Sequence, residues 1–187
     1  MFPLSIFPLP GELVPLHIFE PRYRQLLLDA ETRDIPFGIY FNHISNVDKL
    51  GSSVTLESII KRYPGGESDI IVKCTDLFEM STLFRTYRDK LYPGGEVRFW
   101  NVDITQMVDK KLAEAFVAYL SMINIVRHDR DFSAFHIATE LGLDGDERLK
   151  FVRLDQQKKE SFLLTRLKYQ EKLLDQADKA KDIFHLN

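Results

Sequence analysis

The residues of this chain that could do chemistry are few and scattered. There are five histidines and one cysteine. His17 sits in the apolar run Leu16-His17-Ile18, where a histidine suits a core or corner position better than a metal. His128 stands beside Asp129 and Asp131, but a catalytic zinc site needs three convergent ligands. His43 and His136 are isolated, and His185 falls near the chain end. Cys74 has no base partner that the sequence predicts and reads as a small buried residue. A lone cysteine also excludes an intramolecular disulfide and any multi-cysteine metal site. Glu20 and Arg22 are close enough in sequence to pair locally. No G-x-x-x-x-G-K-[ST] occurs, so no loop of that kind cradles nucleotide phosphates. The sequence assigns no catalytic residue, no metal and no cofactor, and the chain is not expected to be an enzyme.

What must be positioned is therefore a surface. The stretch Phe7–Leu26 organises the chain. Pro8, Pro10 and Pro15 fix φ and lack an N–H, which excludes helix and suits turns or an edge strand. Pro10-Gly11 is a turn dipeptide. Leu13, Val14, Leu16, Ile18 and Phe19 form an apolar run of strand length. Pro21 fits the first helical position, and Arg22 to Ala30 follows as a short helix with Tyr23, Leu26, Leu27 and Ala30 toward a core. Phe19 is expected to be buried at this strand-to-helix corner, where truncation to alanine would cost about 3–5 kcal/mol.

These residues carry a resemblance. The Phe-Pro-Leu opening, the Pro-Gly turn and the run Pro15-Leu16-His17-Ile18-Phe19-Glu20-Pro21-Arg22-Tyr23 resemble the N-terminal substrate-binding domain of Lon-type ATP-dependent proteases. The motif itself, Pro15 to Pro21, is expected to be architectural. The resemblance implies a small, bent, partly closed PUA-like β-barrel in the N-terminal half. It further implies a helical bundle after that barrel. Full-length proteases of that kind carry an ATPase module and a serine-lysine protease domain after this region. Neither is present in these residues, so no ATP-dependent proteolysis is expected of them.

The rest of the first half reads as β structure. Phe37 to Phe41 is a strand-like run after Pro36, and Asn42 to Lys49 is a polar loop. Val54, Leu56, Ile59 and Ile60 continue a strand whose alternation slips at Glu57-Ser58, as a bulge would make it do. Tyr63-Pro64-Gly65-Gly66-Glu67 reads as a tight turn, with Asp69 to Cys74 returning as a strand. The same pentapeptide recurs at Tyr92-Pro93-Gly94-Gly95-Glu96. It predicts a second turn, between strands at Thr82 to Arg88 and Val97 to Ile104. The apolar phase shifts at Phe99-Trp100, which predicts another bulge and a strongly bent sheet.

From Val108 the period becomes helical. Leu112, Phe116, Tyr119, Ile123 and Val126 form one amphipathic stripe. Ala134, Phe135, Ala138 and Leu141 mark a short helix stopped by Gly142. Asp144 with Glu147 has capping-box spacing. Leu163, Leu167, Leu174 and Ala177 form a stripe on a long last helix with alternating surface charge, Glu171, Asp175 and Lys179. The fold class is α+β, with a β subdomain at residues 1–106 and a helical subdomain at 107–187.

Composition narrows the function. Hydrophobic residues make up 44% of the chain, enough for a sizeable core and too many for a disordered one. A net charge of −3 argues against an electrostatic nucleic-acid binder, and so against the RNA-binding role of some PUA-like barrels. No apolar run approaches the roughly 18 residues of a spanning helix, and Met1 leads into Phe-Pro-Leu without a basic n-region. A cytoplasmic location is expected, with no membrane partner. The reading is a non-catalytic module that holds unfolded or apolar-rich polypeptide. Its candidate surface is Tyr23, Tyr40, Tyr63, Tyr92 and Trp100, with Arg22 at the rim. The alternative is an adaptor that binds an unidentified protein, or a second copy of itself, through the Leu163-to-Ala177 stripe, and a second alternative, which the acidic balance disfavours, is an RNA-binding PUA-like protein.

Overall fold

The structure, a computed structural model, describes residues 1–127 and 131–184, with side chains described as far as residue 177. It divides into two compact units, Met1–Ile104 and Thr105–Asn187. The first is built on a six-stranded mixed sheet: β1 (Phe2–Leu4), β2 (Leu13–Ile18), β3 (Phe37–Phe41), β4 (Leu50–Arg62), β5 (Ser68–Phe84) and β6 (Gly94–Phe99). One helix, α1 (Pro21–Arg33), belongs to the same unit. The strand order is β1-β3-β4-β5-β2, with β6 also paired to β5. β1 runs parallel to β3, and the other pairs are antiparallel.

The sheet is bent by bulges. Leu56 pairs with Val72 and Ser58 with Ile71, so Glu57 is an extra residue on β4, at the place where the sequence alternation slips. A second shift leaves Ile60 extra on β4, and a third leaves Thr75 extra on β5. The sequence predicts two strands where the structure has the single 17-residue β5, because polar Thr75-Asp76 hides the continuation. The bulge expected at Phe99-Trp100 is absent. β6 ends at Phe99, and the shift in that pair lies on β5 between Met80 and Thr82. The path does not close, since β1 and β2 end it.

The two like pentapeptides do different work. At Tyr63 to Glu67 the Gly66 N–H reaches the Tyr63 carbonyl at 2.9 Å and Gly66 takes φ +93°, so this one is a turn. Tyr92 to Glu96 is not: Gly94 and Gly95 lie within β6, and the chain reverses earlier, where the Lys90 N–H reaches the Tyr87 carbonyl. A Cβ on Gly94 would meet the Tyr87 ring at 2.6 Å, and one on Gly95 would meet the Thr82 carbonyl at 2.6 Å. These glycines permit close approach and do not supply a turn.

α1 forms as the motif dictates. Pro21 opens it, where a missing N–H costs nothing. Asp34, left-handed at φ 49°, closes it. Tyr23, Leu26, Leu27 and Ala30 enter a core with Ile18, Phe37, Ile39, Val54, Ile70, Val72 and Cys74.

The second unit holds α2 (Lys110–Met122), α3 (Ala134–Glu140), α4 (Gly145–Val152) and α5 (Gln156–Phe184). Asp109, Ser133 and Asp144 cap the first three by accepting backbone N–H groups, and Asp144 with Glu147 forms the expected capping box. The predicted α2 stripe overruns the helix. Asn124 at φ 62° and an Ile125 N–H bond to the Leu120 carbonyl end it, and Val126 is exposed. Phe116, Phe132, Phe135, Phe151, Leu163 and Leu167 are buried. No described helix is long and apolar enough to cross a membrane.

Among the sheet glycines Gly51 is the most crowded: a Cβ there would meet the Ile39 carbonyl at 2.6 Å and the Phe78 ring. Because one of those neighbours is backbone, Gly51→Ala is expected to cost about 1–3 kcal/mol or more. Urea denaturation measures it, and a midpoint equal to that of the unsubstituted protein would contradict the packing.

Candidate functional site

The two strands at the ends of the sheet line one groove of about 430 Å³. Phe2 to Ile6 form one wall and Pro15, Leu16, His17, Phe19, Glu20, Arg22 and Tyr23 the other. The bulges thus curl the sheet far enough for its unpaired edges to approach a common space. The motif that dominates the sequence forms one side of it.

Local alternation decides which motif residues reach the groove. The Cys74 N–H bonds the Glu12 carbonyl, so Glu12, Val14 and Leu16 sit at the hydrogen-bonded positions opposite β5. Pro15 falls between them, and its missing N–H faces the open edge. Pro3 lies in the other edge strand. Ile18 turns inward and is buried, and Phe19 turns outward and is 56% exposed. The expectation that Phe19 is a buried corner residue is therefore corrected: Ile18 fills the corner, and the Phe19 ring stacks on His17 with centroids 5.9 Å apart.

The groups on the rim are mutually partnered. The Arg22 Nε donates to Glu20 Oε2 at 2.8 Å, and the guanidinium lies over the Tyr23 ring at 4.6 Å. His17 Nδ1 is 2.7 Å from Asp69 Oδ1, and the Tyr63 hydroxyl donates to Asp69 Oδ2 at 2.6 Å. Those two bonds, Tyr63 first, hold the Asp69 carboxyl below the usual aspartate range. The Lys61 ammonium lies 4.5 Å from the Tyr63 ring centroid.

Of the sequence-predicted surface set, Arg22 lines the groove and Tyr63 stands behind it through Asp69 and His17. Tyr23 lines the groove wall but is buried at 3% exposure against the Phe2 ring, 4.0 Å between centroids, so it is not the free surface aromatic expected. Tyr40 and Trp100 are half-buried and line neither this groove nor the cavity described next. Tyr92 is also corrected. It is buried, and its hydroxyl donates to Asp29 at 2.7 Å, because a ring turned into the core needs a partner for its polar end. It lines a second cavity, of about 260 Å³, with Met1, Leu26, Phe37, Phe78 and Phe99. Sequence reasoning missed Phe2, Ile6 and Asp69. Only a pairing of β2 with β5 brings Asp69 opposite His17.

The remaining reactive types are placed as follows. Cys74 is buried, with its thiol pushed up to about 12 by burial. His43 stacks on Phe41. His136 lies 3.7 Å from Glu140. His128, Asp129 and His185 lie outside the described residues, as does the side chain of Lys179. Among the described residues no cluster of three ligating groups could hold a metal ion.

Residues 1–184 match the family described as the ATP-dependent protease La (LON) substrate-binding domain. The chain belongs to this family. A Lon N-terminal domain protein from Xanthomonas campestris superposes with a TM-score of 0.68 at 22% identity, over 88% of this chain and 95% of that one. The N-terminal domain of a Mycobacterium avium complex Lon protease gives 0.61 at 12% identity, over 89% and 96%. At those identities the likeness speaks for the fold alone. No curated protein matches the chain.

Asp29 ties the substrate-binding-domain fold together away from the groove. It accepts from Tyr92 and from Lys90, whose Nζ is 3.0 Å away, and both bonds hold its carboxyl below the usual range. A depressed carboxyl contributes stability that is present above the unfolded value near 4 and is lost as pH falls through the folded value. Unfolding measured between about pH 5 and pH 2 should show this loss, with a shallower slope in Asp29→Asn. Parallel slopes for the two proteins would count against it.

Proposed function

We propose that the protein is a non-catalytic, cytoplasmic module that holds extended, apolar segments of other polypeptides. The groove between the two open sheet edges is the site. The observation that carries this reading is the pairing of an apolar lining with self-neutralised charge. Phe2, Leu4, Ile6, Leu16 and Phe19 supply apolar surface. Glu20 and Arg22, the charged side chains that line the groove, pair with each other, so no net lining charge is left to recruit a charged ligand. The volume suits a few side chains of a chain segment. Membership of a substrate-binding-domain family supports the same reading.

The prolines at the edges argue for the manner of binding. A strand that added to β2 would meet no donor at Pro15, so side chains in the groove supply the binding and a continued ladder does not. Affinity is expected to be weak, with Kd between about 10 μM and 1 mM, because a flexible segment must be ordered. Fluorescence anisotropy with labelled, carboxymethylated α-lactalbumin measures it. Phe19→Ala should weaken binding by about fivefold or more, a share of a buried aromatic contact, and leave the melting temperature unchanged. Equal binding by the variant would remove this groove as the site.

A second reading rests on α5. Leu163 and Leu167 of the predicted contact stripe are buried within the second unit and are unavailable for docking. Tyr169 and Leu173 remain exposed, and an association through α5 would use them. Light scattering should then show a dimer that Leu173→Glu dissociates, whereas a monomeric wild type removes this reading.

A further inference from the structure

His17 lines the groove and carries a ring nitrogen that no other described residue engages. Its Nδ1 faces Asp69, and its Nε2 has no hydrogen-bond partner among the described residues. The side chain is 53% exposed and lines the groove. Both faces of its environment are set. Phe19 stacks on the ring, and Tyr63 meets it edge-on at 6.0 Å. The carboxylate that holds Nδ1 is itself held on its other oxygen by the Tyr63 hydroxyl.

This arrangement fixes the tautomer. An ionised carboxylate can only accept, and the bonds that keep Asp69 ionised leave it no proton to give. Nδ1 must then carry the hydrogen, and in a neutral imidazole Nε2 is left as a bare acceptor. An extended segment entering the groove brings backbone N–H groups out of water, and each one left unmet costs binding. The apolar groove side chains cannot accept them. The N–H is also the polar group that every non-proline segment presents, whatever its side chains.

We propose that His17 is the determinant by which the groove reads main chain: its Nε2 accepts a hydrogen bond from one backbone N–H of the bound segment, and Asp69 and Tyr63 are positioning residues that act through it. The inference rests on the groove being the binding site for apolar segments. It adds that the groove favours an uncharged segment with a free amide at one fixed position and discriminates against proline there. A second copy of this chain docking edge to edge is disfavoured by Pro3 and Pro15.

The test uses the whole protein at pH 8. The probe is an acetylated, amidated decapeptide with an uncharged leucine- and alanine-rich centre between glycine-serine ends. A series of the same peptide replaces each amide N–H in turn by an ester oxygen. Wild type should lose roughly three- to tenfold in affinity at one position of the series, the scale of one neutral hydrogen bond. His17→Phe, which keeps a ring against Phe19, should bind the parent peptide weaker by a similar factor and no longer distinguish the ester at that position. Tyr63→Phe and Asp69→Asn should reduce the same discrimination while the melting temperature stays close to wild type. A His17→Phe protein that binds as tightly as wild type, or remains equally sensitive to the ester, overturns the role of His17 and leaves the groove standing. Wild type that binds neither the decapeptide nor carboxymethylated α-lactalbumin overturns the groove and this inference together.

Discussion

The first unit depends on the pairing of β5. One edge of this strand carries β4 and the other carries β2 and then β6, so a single 17-residue segment fixes the register of half the sheet. A strand that long cannot stay flat without exposing its apolar face, and extra residues relieve it on both sides. Glu57 and Ile60 are extra on β4, and Thr75 on β5. Each bulge adds local twist, and the sum turns β1 and β2 toward one space. The groove is thus a consequence of curvature that does not reach closure. A closed barrel would pair those two edges and leave no room between them.

The same strand couples fold to site chemistry. Asp69 lies near the start of β5, opposite His17. The bonds of Asp69 to His17 and Tyr63 join β2, β5 and the turn that follows β4. Arg24 on α1 bonds the Gly65 carbonyl and Glu67 of that turn, which anchors the turn to the helix. The groove wall is therefore held from its strand side and from its helix side. Phe19 can remain exposed at the junction because Ile18 and Tyr23, buried on either side of it, carry the packing.

Much of this was legible in the sequence where the signal is local. Pro21 at the first helical position, the Asp144 capping box and the Glu57 bulge all follow from neighbouring residues and appear as expected. Readings that needed a partner from elsewhere in the chain went astray. Tyr92 looks like a surface aromatic beside a Pro-Gly-Gly turn until Asp29, far away in sequence, is seen to accept its hydroxyl. The pentapeptide at Tyr92 was legible as a turn only because nothing local reveals that Tyr87 packs against Gly94. Phe19 is a different case. Val14, Leu16 and Ile18 share one face of β2, so a strict period of two already assigns Phe19 to the opposite face. The general preference for burying phenylalanine outweighed an alternation that was present in the residues themselves.

Edge strands usually need protection, because their free N–H and C=O groups template further strands. Here the protection and the site coincide. Pro15 removes the outward donor at the middle of β2, and Pro3 sits in the middle of β1. Two edges that approach without pairing would otherwise close on each other or on a neighbouring molecule. With those donors gone, the edges stay apart and the groove keeps an apolar lining that a ligand can cover. The cost is that a bound segment finds fewer main-chain partners than an ordinary edge would offer. A positioned side-chain acceptor is the economical substitute, and His17 is held for it on its other ring nitrogen by Asp69.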